Sequence, residues 1–348
     1  MKRKKDVYTV AVLGGDLRQM AAAKALCEDG CRVRVFALDT YTGGTDGLIA
    51  AETIEEAAAG ADIVVLPLPV TKDGERLHCP LTKKTVLLSE LFDALPEGCR
   101  AVGGRVTDEV RAFAKKRRIR LTDYMEREEL AVANAVPTAE GALALAMAEV
   151  PYTVHGARCL VLGYGRIGKV LARKLSALGA KVTAAARKIS DLAWIEADGC
   201  TALPFSALYE DETELPFDIV FNTVPKEVLT GTVLQKLPKE ALILDLASAP
   251  GGVDRDYAKN AGYRVLWALS LPGKAAPVTA GRILRDSVLA ILAEEDEKRR
   301  EKMSAREEET RLPSVPAELT NAGIAAEADA QSEPSLIEDI PEGGKRRL

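Results

Sequence analysis

Residues 157–168, ARCLVLGYGRIG, decide the fold of this chain. The apolar run at 159–162 predicts a buried strand, and Gly163, Gly165 and Gly168 follow it with Gly-x-Gly-x-x-Gly spacing. In a dinucleotide-binding loop the first glycine permits the tight turn, the second lets the backbone approach a pyrophosphate, and the third lets the next helix pack closely on the strand. Apolar residues at helical spacing follow, which is the context that the motif requires. We therefore predict a dinucleotide site in mid-chain.

The end of the next predicted strand, at 181–185, indicates which nicotinamide dinucleotide binds. An NAD site usually carries an acidic residue there, whereas this chain has Ala186, Arg187 and Lys188. A guanidinium offers a planar fork of donors to the 2′-phosphate of NADP, so Arg187 and Lys188 predict NADP(H). A solvated Arg-Lys pair in a turn is the alternative.

Further cofactor contacts are expected beside the glycine loop and at the ends of neighbouring strands. Arg166 and Ile167 open the helix that follows the loop. The expected contacts at the other strand ends are Asn222, Thr223, Val224, Pro225 and Ala247. Asp245 stands inside an apolar run, which is more typical of a structural acid bonded to the backbone.

Length and composition limit the class of protein. With 348 residues, 47% of them hydrophobic, the chain can form two ordinary cores, and its net charge of -5 argues against a nucleic-acid partner. The six cysteines lack paired metal-ligand spacing, so we expect free thiols and no metal site. No signal-peptide core follows the basic N-terminus, and no apolar run approaches the ~20 residues of a membrane span. These features predict a cytoplasmic protein without a membrane partner.

Alternating strand and helix patterns predict an α/β fold with two Rossmann-like doubly wound domains and an interdomain cleft, arranged as in formate and glycerate dehydrogenases. The predicted segments are an N-terminal α/β domain on the substrate side (1–130), a helical connector (131–151), an NADP-binding domain (152–279), a helix packing back on the first domain (280–296) and a disordered charged tail (297–348). Pro137 is expected to interrupt the connector helix. Gly14-Gly15-Asp16 lacks a third glycine, so we expect no second nucleotide site.

Strand patterns recur in both predicted domains. The first domain has candidates at 8–13, 32–37 and 62–67, with weaker ones at 85–88, 100–102 and 119–122. The second has candidates at 158–162, 181–185, 219–222, 241–246 and 264–267. Several of these end in polar or small residues, at the edge where doubly wound sheets bind ligands.

Six short motifs resemble, in order and spacing, those of the dipicolinate synthase A-chain family. They are GGDLRQ (14–19), PTAEG (137–141), LGYGRIG (162–168), NTVP (222–225), LDLASAPGG (244–252) and LPGKAAPVTAG (271–281). The resemblance covers about residues 7–293 and is weakest at 71–105. Together these motifs are far more specific than the glycine loop alone.

The resemblance implies an activity, a cofactor and a partner. This family works with a second, flavoprotein-like subunit of dipicolinate synthase to make dipicolinic acid from a lysine-pathway intermediate during endospore formation. Hydroxy-tetrahydrodipicolinate loses water to give dihydrodipicolinate, and removal of a hydride and a proton gives the aromatic dicarboxylate, with NADP+ as the hydride acceptor. The expected location is the mother-cell cytoplasm, and self-association is left open.

A dicarboxylate substrate requires fixed cations and backbone donors. The candidate cations are Arg18, after the first strand, and Lys274, in a loop after the last strand, with ordinary surface charges as the alternative. Glu140 is expected to take a ring proton if burial raises its pKa, and Lys274 is the second catalytic candidate. Alternatively, Pro137 and Thr138 start a helix, with Thr138 as its cap. The other expected substrate contacts are Gln19, Thr138 and Ser248.

Two other functions stay open from the residues alone. A D-2-hydroxy-acid dehydrogenase usually needs a histidine late in the cofactor domain, and this chain has only His78 and His155. A catalytically silent NADP-binding scaffold for the flavoprotein-like second subunit would account for the missing acid-base pair. Turnover by this chain alone separates the scaffold from the enzyme.

Overall fold

Two parallel sheets of six strands each form the framework of the computed structural model, which describes residues 7–311, with side chains to residue 306. The first sheet contains β1 (Thr9–Leu13), β2 (Arg32–Phe36), β3 (Ile49–Ala50), β4 (Ile63–Val65), β5 (Arg100–Gly103) and β6 (Arg120–Asp123). The second contains β7 (Arg158–Leu162), β8 (Lys181–Ala186), β9 (Thr201–Pro204), β10 (Ile219–Asn222), β11 (Leu242–Asp245) and β12 (Arg264–Trp267).

The strand order is β3-β2-β1-β4-β5-β6 in the first sheet and β9-β8-β7-β10-β11-β12 in the second. Both are the doubly wound order, and the predicted α/β fold with two Rossmann-like sheets is confirmed. The helices are α1 (Leu17–Glu28), α2 (Ile54–Ala58), α3 (Leu88–Ala94), α4 (Asp108–Lys116), α5 (Glu128–Glu149), α6 (Arg166–Ala177), α7 (Ile189–Ala197), α8 (Gly231–Leu234), α9 (Arg255–Asn260), α10 (Leu271–Ala275) and α11 (Pro277–Arg311).

The prediction of a strand at residues 85–88 is wrong. Leu87 makes only an isolated bridge with Arg76, and α3 begins at Leu88. The apolar residues Leu88 and Leu91 are both buried and lie at helical spacing, so burial of one helix face determines the element. The short edge strands β3 and β9 have no clear alternation and were not predicted.

The connector helix α5 continues through Pro137, so the expected break there is wrong. Proline removes one backbone donor, and the packing of α5 against α6 and α10 offsets that loss. A helix start at Thr138 is also wrong, because the Thr138 hydroxyl donates to the carbonyl oxygen of Asn134, 2.7 Å away and one turn earlier. Thr138 therefore lies in mid-helix and caps nothing.

The same helix corrects the expectation that no apolar run approaches membrane-spanning length. By length and composition α5 is apolar enough to cross a membrane, with a mean hydropathy of 1.4 over its best window, half of which is buried inside the protein. The buried helix of a protein core has this composition too, because it is apolar on most sides.

Helix α11 brings the chain back to the first sheet. Leu284 and Val288 join the cluster formed by Val10 and Met20, and a Cβ at Gly281 would lie 2.5 Å from the Cβ of Ala21. The helix extends to Arg311, so the disordered tail predicted from 297 is wrong as far as 311. Opposite charges four residues apart, beginning with Glu294 and Lys298, favour this extension. Residues 312–348 lie outside the described part of the chain.

Candidate active site

A cavity of about 620 Å³ lies between the two sheets, at the carboxyl ends of their strands. Ligands bind at this edge in doubly wound folds, and the volume is ordinary for a small-molecule site. Of the predicted residues, those that line the cavity are Arg18, Gln19, Thr138, Gly165, Arg166, Ile167, Thr223, Pro225 and Ser248. The structure thus brings Gly165 of the glycine loop together with the proposed substrate residues other than Lys274.

The three glycines of the loop have the geometry that a dinucleotide requires. Gly163 has a φ of +94°, which favours glycine in the turn after β7. A Cβ at Gly168 would lie 2.0 Å from the carbonyl oxygen of Gly163, so only glycine lets α6 pack this closely. A Cβ at Gly165 would meet nothing within 4 Å, which leaves open space beside the N-terminus of α6. The loop therefore fits a pyrophosphate.

The basic residues near the loop have different surroundings. Arg166 turns towards α5, where its guanidinium pairs with Glu128 at 2.6 Å. Arg187 and Lys188 follow β8, are exposed, and have no hydrogen bond or ion pair from their side chains to the described residues. They are therefore available to an anionic ligand.

The predicted cofactor contact of Asn222 is not supported, because Asn222 does not line the cavity and its buried side chain is bonded to other protein groups. Its Nδ2 donates to Oδ1 of Asp245 at 2.8 Å and to the carbonyl oxygen of Val224 at 3.0 Å. Ala247 is also buried, and its carbonyl oxygen accepts from Nε1 of Trp267 at 2.9 Å. Both residues therefore position loops. Asp245 accepts from backbone N–H groups, which confirms its predicted structural role.

On the opposite wall, Arg18 and Gln19 occupy the first turn of α1. The Arg18 side chain is held by Asp16 at 2.7 Å and by the carbonyl oxygen of Leu68 at 2.6 Å. Gln19 accepts from the Asp16 N–H through Oε1 at 3.2 Å, and its side chain also interacts with the Tyr124 hydroxyl. Gln19 lines the cavity beside Arg18, so its amide is a candidate to bind a ligand oxygen.

Two aromatic groups flank this wall. Tyr124 is fully buried, and its hydroxyl donates to the carbonyl oxygen of Leu66 at 3.3 Å. Burial raises the pKa of Tyr124 far above its usual range, so it stays protonated. The backbone carbonyl of His78 accepts from Gly15 at 3.0 Å, and burial, followed by the charge of Lys72, lowers the His78 pKa.

The two predicted catalytic residues do not face the cavity. The Glu140 side chain is 56% exposed and pairs with Lys174 of α6 at 2.8 Å. Lys274 is exposed on α10, which forms a short helix where a loop was expected. Glu140 points towards α6 because α5 presents its small residues to α10, where a Cβ at Gly141 would lie 3.1 Å from Leu271. This geometry does not support the predicted catalytic role of Glu140. The role of Lys274 stays a prediction, since its neighbours Leu271 and Pro272 line the cavity and Lys274 does not.

The sequence analysis did not identify four residues with polar side chains that line the cavity, namely Arg105, Tyr124, Asn134 and Ser270. Arg105 follows the glycine pair that ends β5, a signal similar to the one after β1. Its position at a strand end of the first sheet was therefore detectable. No cluster of side chains that could hold a metal ion occurs among the described residues.

Comparisons with known proteins agree with this geometry. Residues 9–125 match the family model described as the N-terminal domain of the dipicolinate synthase A-chain. Residues 126–255 match the model described as D-isomer specific 2-hydroxyacid dehydrogenase, NAD binding domain. The second half of the chain is thus a nicotinamide-dinucleotide-binding domain.

Individual relatives extend the likeness over most of the chain. The dipicolinate synthase A-chain of Bacillus subtilis (strain 168) is 35% identical over 287 residues, which cover 82% of this chain and 96% of that protein. Its crystal structure has a TM-score of 0.75 at 33% identity, covering 86% of this chain and 100% of that one. The A-chain structure from Bacillus halodurans has a TM-score of 0.74 at 32% identity, covering 82% of this chain and 98% of that one. A transhydrogenase from Sinorhizobium meliloti shares the fold. Its structure has a TM-score of 0.60 at 15% identity and covers 81% of this chain and 93% of that one.

Proposed function

Since this chain belongs to the dipicolinate synthase A-chain family, we propose that it performs the dehydrogenation that completes dipicolinic acid, with NADP(H) as cofactor. Its substrate is then dihydrodipicolinate, formed from hydroxy-tetrahydrodipicolinate by loss of water. We further propose that it acts with the flavoprotein-like second subunit in the cytoplasm of the sporulating mother cell.

One observation carries the proposal: the glycine loop and the Arg18-Gln19 turn line the same cavity from the two sheets. A ligand held by Arg18 and Gln19 lies across the cavity from Gly165, where the dinucleotide phosphates fit. A dehydrogenase needs this arrangement, because substrate and cofactor must be held together for direct transfer.

The choice of NADP rests on the end of β8. Ala186 is the last residue of the strand, and the exposed side chains of Arg187 and Lys188 follow it without an acidic residue. Two unpaired cations at this position suit a dianionic 2′-phosphate and offer no acceptor to the free ribose hydroxyls of NAD.

The protein residues chiefly bind and orient the substrate. When bound, the nicotinamide supplies a hydride acceptor. The substrate loses one hydride and one ring proton, which yields aromatic dipicolinate. None of the described cavity-lining residues is Asp, Glu, Lys or His, so we assign the proton to water. Formation of the aromatic ring favours this loss and makes a strong protein base unnecessary.

The lack of an acid-base residue also separates the proposal from one alternative, a D-2-hydroxy-acid dehydrogenase. Oxidation of a 2-hydroxy acid requires a base at the hydroxyl, and no histidine lines the cavity among the described residues. His155 lies elsewhere, beside Gly179, whose Cβ would fall 2.2 Å from Nδ1. The same absence favours a second candidate, a non-catalytic NADP-binding scaffold for the second subunit.

The experiment follows dipicolinate and NADPH together, from enzymatically generated hydroxy-tetrahydrodipicolinate and NADP+, with and without the second subunit. We expect one NADPH for each dipicolinate, including with this chain alone. Dipicolinate without NADPH, and only when the second subunit is present, would overturn the dehydrogenase and favour the scaffold. Gly165→Val serves as a variant with a blocked nucleotide loop and should abolish both products.

A further inference from the structure

The charges on the cavity wall are unbalanced. Three arginines line it, and no acidic residue does so among the described residues. Arg18 is neutralised by Asp16, and Arg166 is neutralised by Glu128. Arg105 has no ion pair and no side-chain hydrogen bond to the described residues. Arg105, whose side chain is exposed, is therefore the one of these three arginines without an ion pair to the described residues.

The backbone at Arg105 is held in an unusual conformation. Its φ is +54°, a region that side-chain-bearing residues rarely adopt. The buried carboxylate of Asp123 accepts from the N–H groups of Arg105, at 3.2 Å, and Val106, at 2.7 Å. A strained residue persists only where its surroundings over-determine it, and such residues are concentrated at ligand-binding sites.

Arg105 is also adjacent to the group that holds Arg18. The Leu68 carbonyl oxygen accepts from Nη2 of Arg18, while a Cβ at Gly104 would lie 2.5 Å from Cδ1 of Leu68. The Gly104 N–H donates to the Pro67 carbonyl oxygen at 3.0 Å, which joins the ends of β4 and β5. Arg105 and the Leu68 carbonyl oxygen that accepts from Arg18 therefore lie on two neighbouring, bonded segments of the cavity wall.

We infer that Arg105 binds the second carboxylate of a dicarboxylate ligand, while Arg18 and Gln19 bind the first. This inference deepens the proposed function and rests on its dicarboxylate substrate. The Arg18-Asp16 pair carries no net charge, so a dianion needs a further cation, and Arg105 supplies it with a planar fork of donors. Arg105 would then select dicarboxylates over monocarboxylates of the same ring.

The test compares equilibrium binding of dipicolinate and picolinate, pyridine rings with two carboxylates and one, to the NADP-loaded full chain by calorimetry. We expect the wild type to prefer dipicolinate by at least about tenfold, since a hydrogen bond to a charged group contributes this much. Arg105→Gly should remove the preference, lower dipicolinate affinity about tenfold or more, and leave NADP affinity and picolinate affinity nearly unchanged.

The matched control is Arg118→Gly. Arg118 also has a φ of +54° and is also exposed, but it does not line the cavity and pairs with Glu97, 2.9 Å away. Glycine adopts a positive φ without steric cost, so both glycine variants should fold. Arg105→Asn repeats the test with a side chain that tolerates positive φ.

Three outcomes overturn the inference: no dipicolinate preference in the wild type, a preference retained in both Arg105 variants, or a preference lost equally in Arg118→Gly. The proposed function is judged separately. If Arg105 controls the preference but no NADPH accompanies dipicolinate formation, the carboxylate site stands and the dehydrogenase fails. If NADPH forms normally but the Arg105 variants keep the preference for dipicolinate, the dehydrogenase stands and the carboxylate site fails.

Discussion

Nδ2 of Asn222 donates to Oδ1 of Asp245 at 2.8 Å, and neither side chain is exposed to solvent. The two residues are register partners at the ends of β10 and β11. Asn222 also bonds to both polar groups of the Val224 backbone, while Asp245 accepts from the N–H groups of Ala247 and Gly252. One buried pair thus sets the positions of two loops on the cofactor side of the cavity.

Asn222→Asp should destabilise the protein strongly, because it places two carboxylates in buried contact. We expect the free energy of unfolding at neutral pH to fall by about 3 kcal/mol or more. Urea denaturation followed by circular dichroism measures the change. Asn260→Asp, at the exposed end of α9, is the matched control and should shift stability by less than about 0.5 kcal/mol. Similar stabilities for the two variants would contradict the role of the buried pair.

Two variants of the glycine loop should separate nucleotide binding from folding. Gly165→Val should leave the melting temperature nearly unchanged and reduce nucleotide affinity at least about tenfold, because the side chain fills the space that the phosphates approach. Gly168→Ala should cost about 2 kcal/mol or more of stability, since its Cβ meets the Gly163 carbonyl oxygen. Thermal unfolding and fluorescence titration measure both. Normal NADP binding by Gly165→Val would place the phosphates elsewhere.

Arg187→Asp should reverse the nucleotide preference. It removes a cation from the 2′-phosphate position and adds an acceptor for ribose hydroxyls, so NADP affinity should fall about tenfold or more while NAD affinity does not decrease. Titration with both nucleotides gives the ratio. Lys181→Asp makes a comparable charge change at the opposite end of β8 and should preserve the ratio. Unchanged NADP binding by Arg187→Asp would exclude Arg187 from the 2′-phosphate site.

Glu140→Gln should retain activity. The carboxylate is partly exposed and its pair with Lys174 lies on the surface, so its loss should change kcat by no more than about twofold and stability by less than about 1 kcal/mol. Arg18→Met provides the contrast, with a raised KM for the dicarboxylate. Steady-state kinetics on both variants suffice. A large fall in kcat for Glu140→Gln would indicate that Glu140 takes part in the reaction.

His78 should make the protein less stable as the solution becomes mildly acidic. Burial and then Lys72 lower its pKa below the ordinary 6.5, so the folded protein binds this proton more weakly than the unfolded chain. The contribution of neutral His78 to the free energy of unfolding is fully present above pH 6.5. That free energy falls as the pH drops from 6.5 through the lower pKa of His78 in the folded protein. Urea denaturation over this range measures the slope, and proton NMR follows the imidazole. His78→Gln should reduce the slope, and an unchanged slope would assign it to other groups.

The nucleotide loop was predictable because its signals are local. Strand β7, the turn at Gly163 and helix α6 follow one another in the chain, and each is specified by its own apolar spacing or glycine. Asp245 was predictable for the same reason. Glu140 and Lys274 were assigned from a motif that carries no information on which side of a helix faces the cavity, and packing of α5 on α6 and α10 decided that side.

By itself, the sequence determined two α/β sheets and a dinucleotide loop, because hydrophobic periodicity and the backbone freedom of glycine act over a few neighbouring residues. Only the tertiary structure decided which charges the cavity presents. Glu128 neutralises Arg166 from another element, while Arg105, which also lines the cavity, has no ion pair to the described residues. Charge pairing depends on distances of a few ångströms between strand ends far apart in the chain, and those distances exist only in the folded protein.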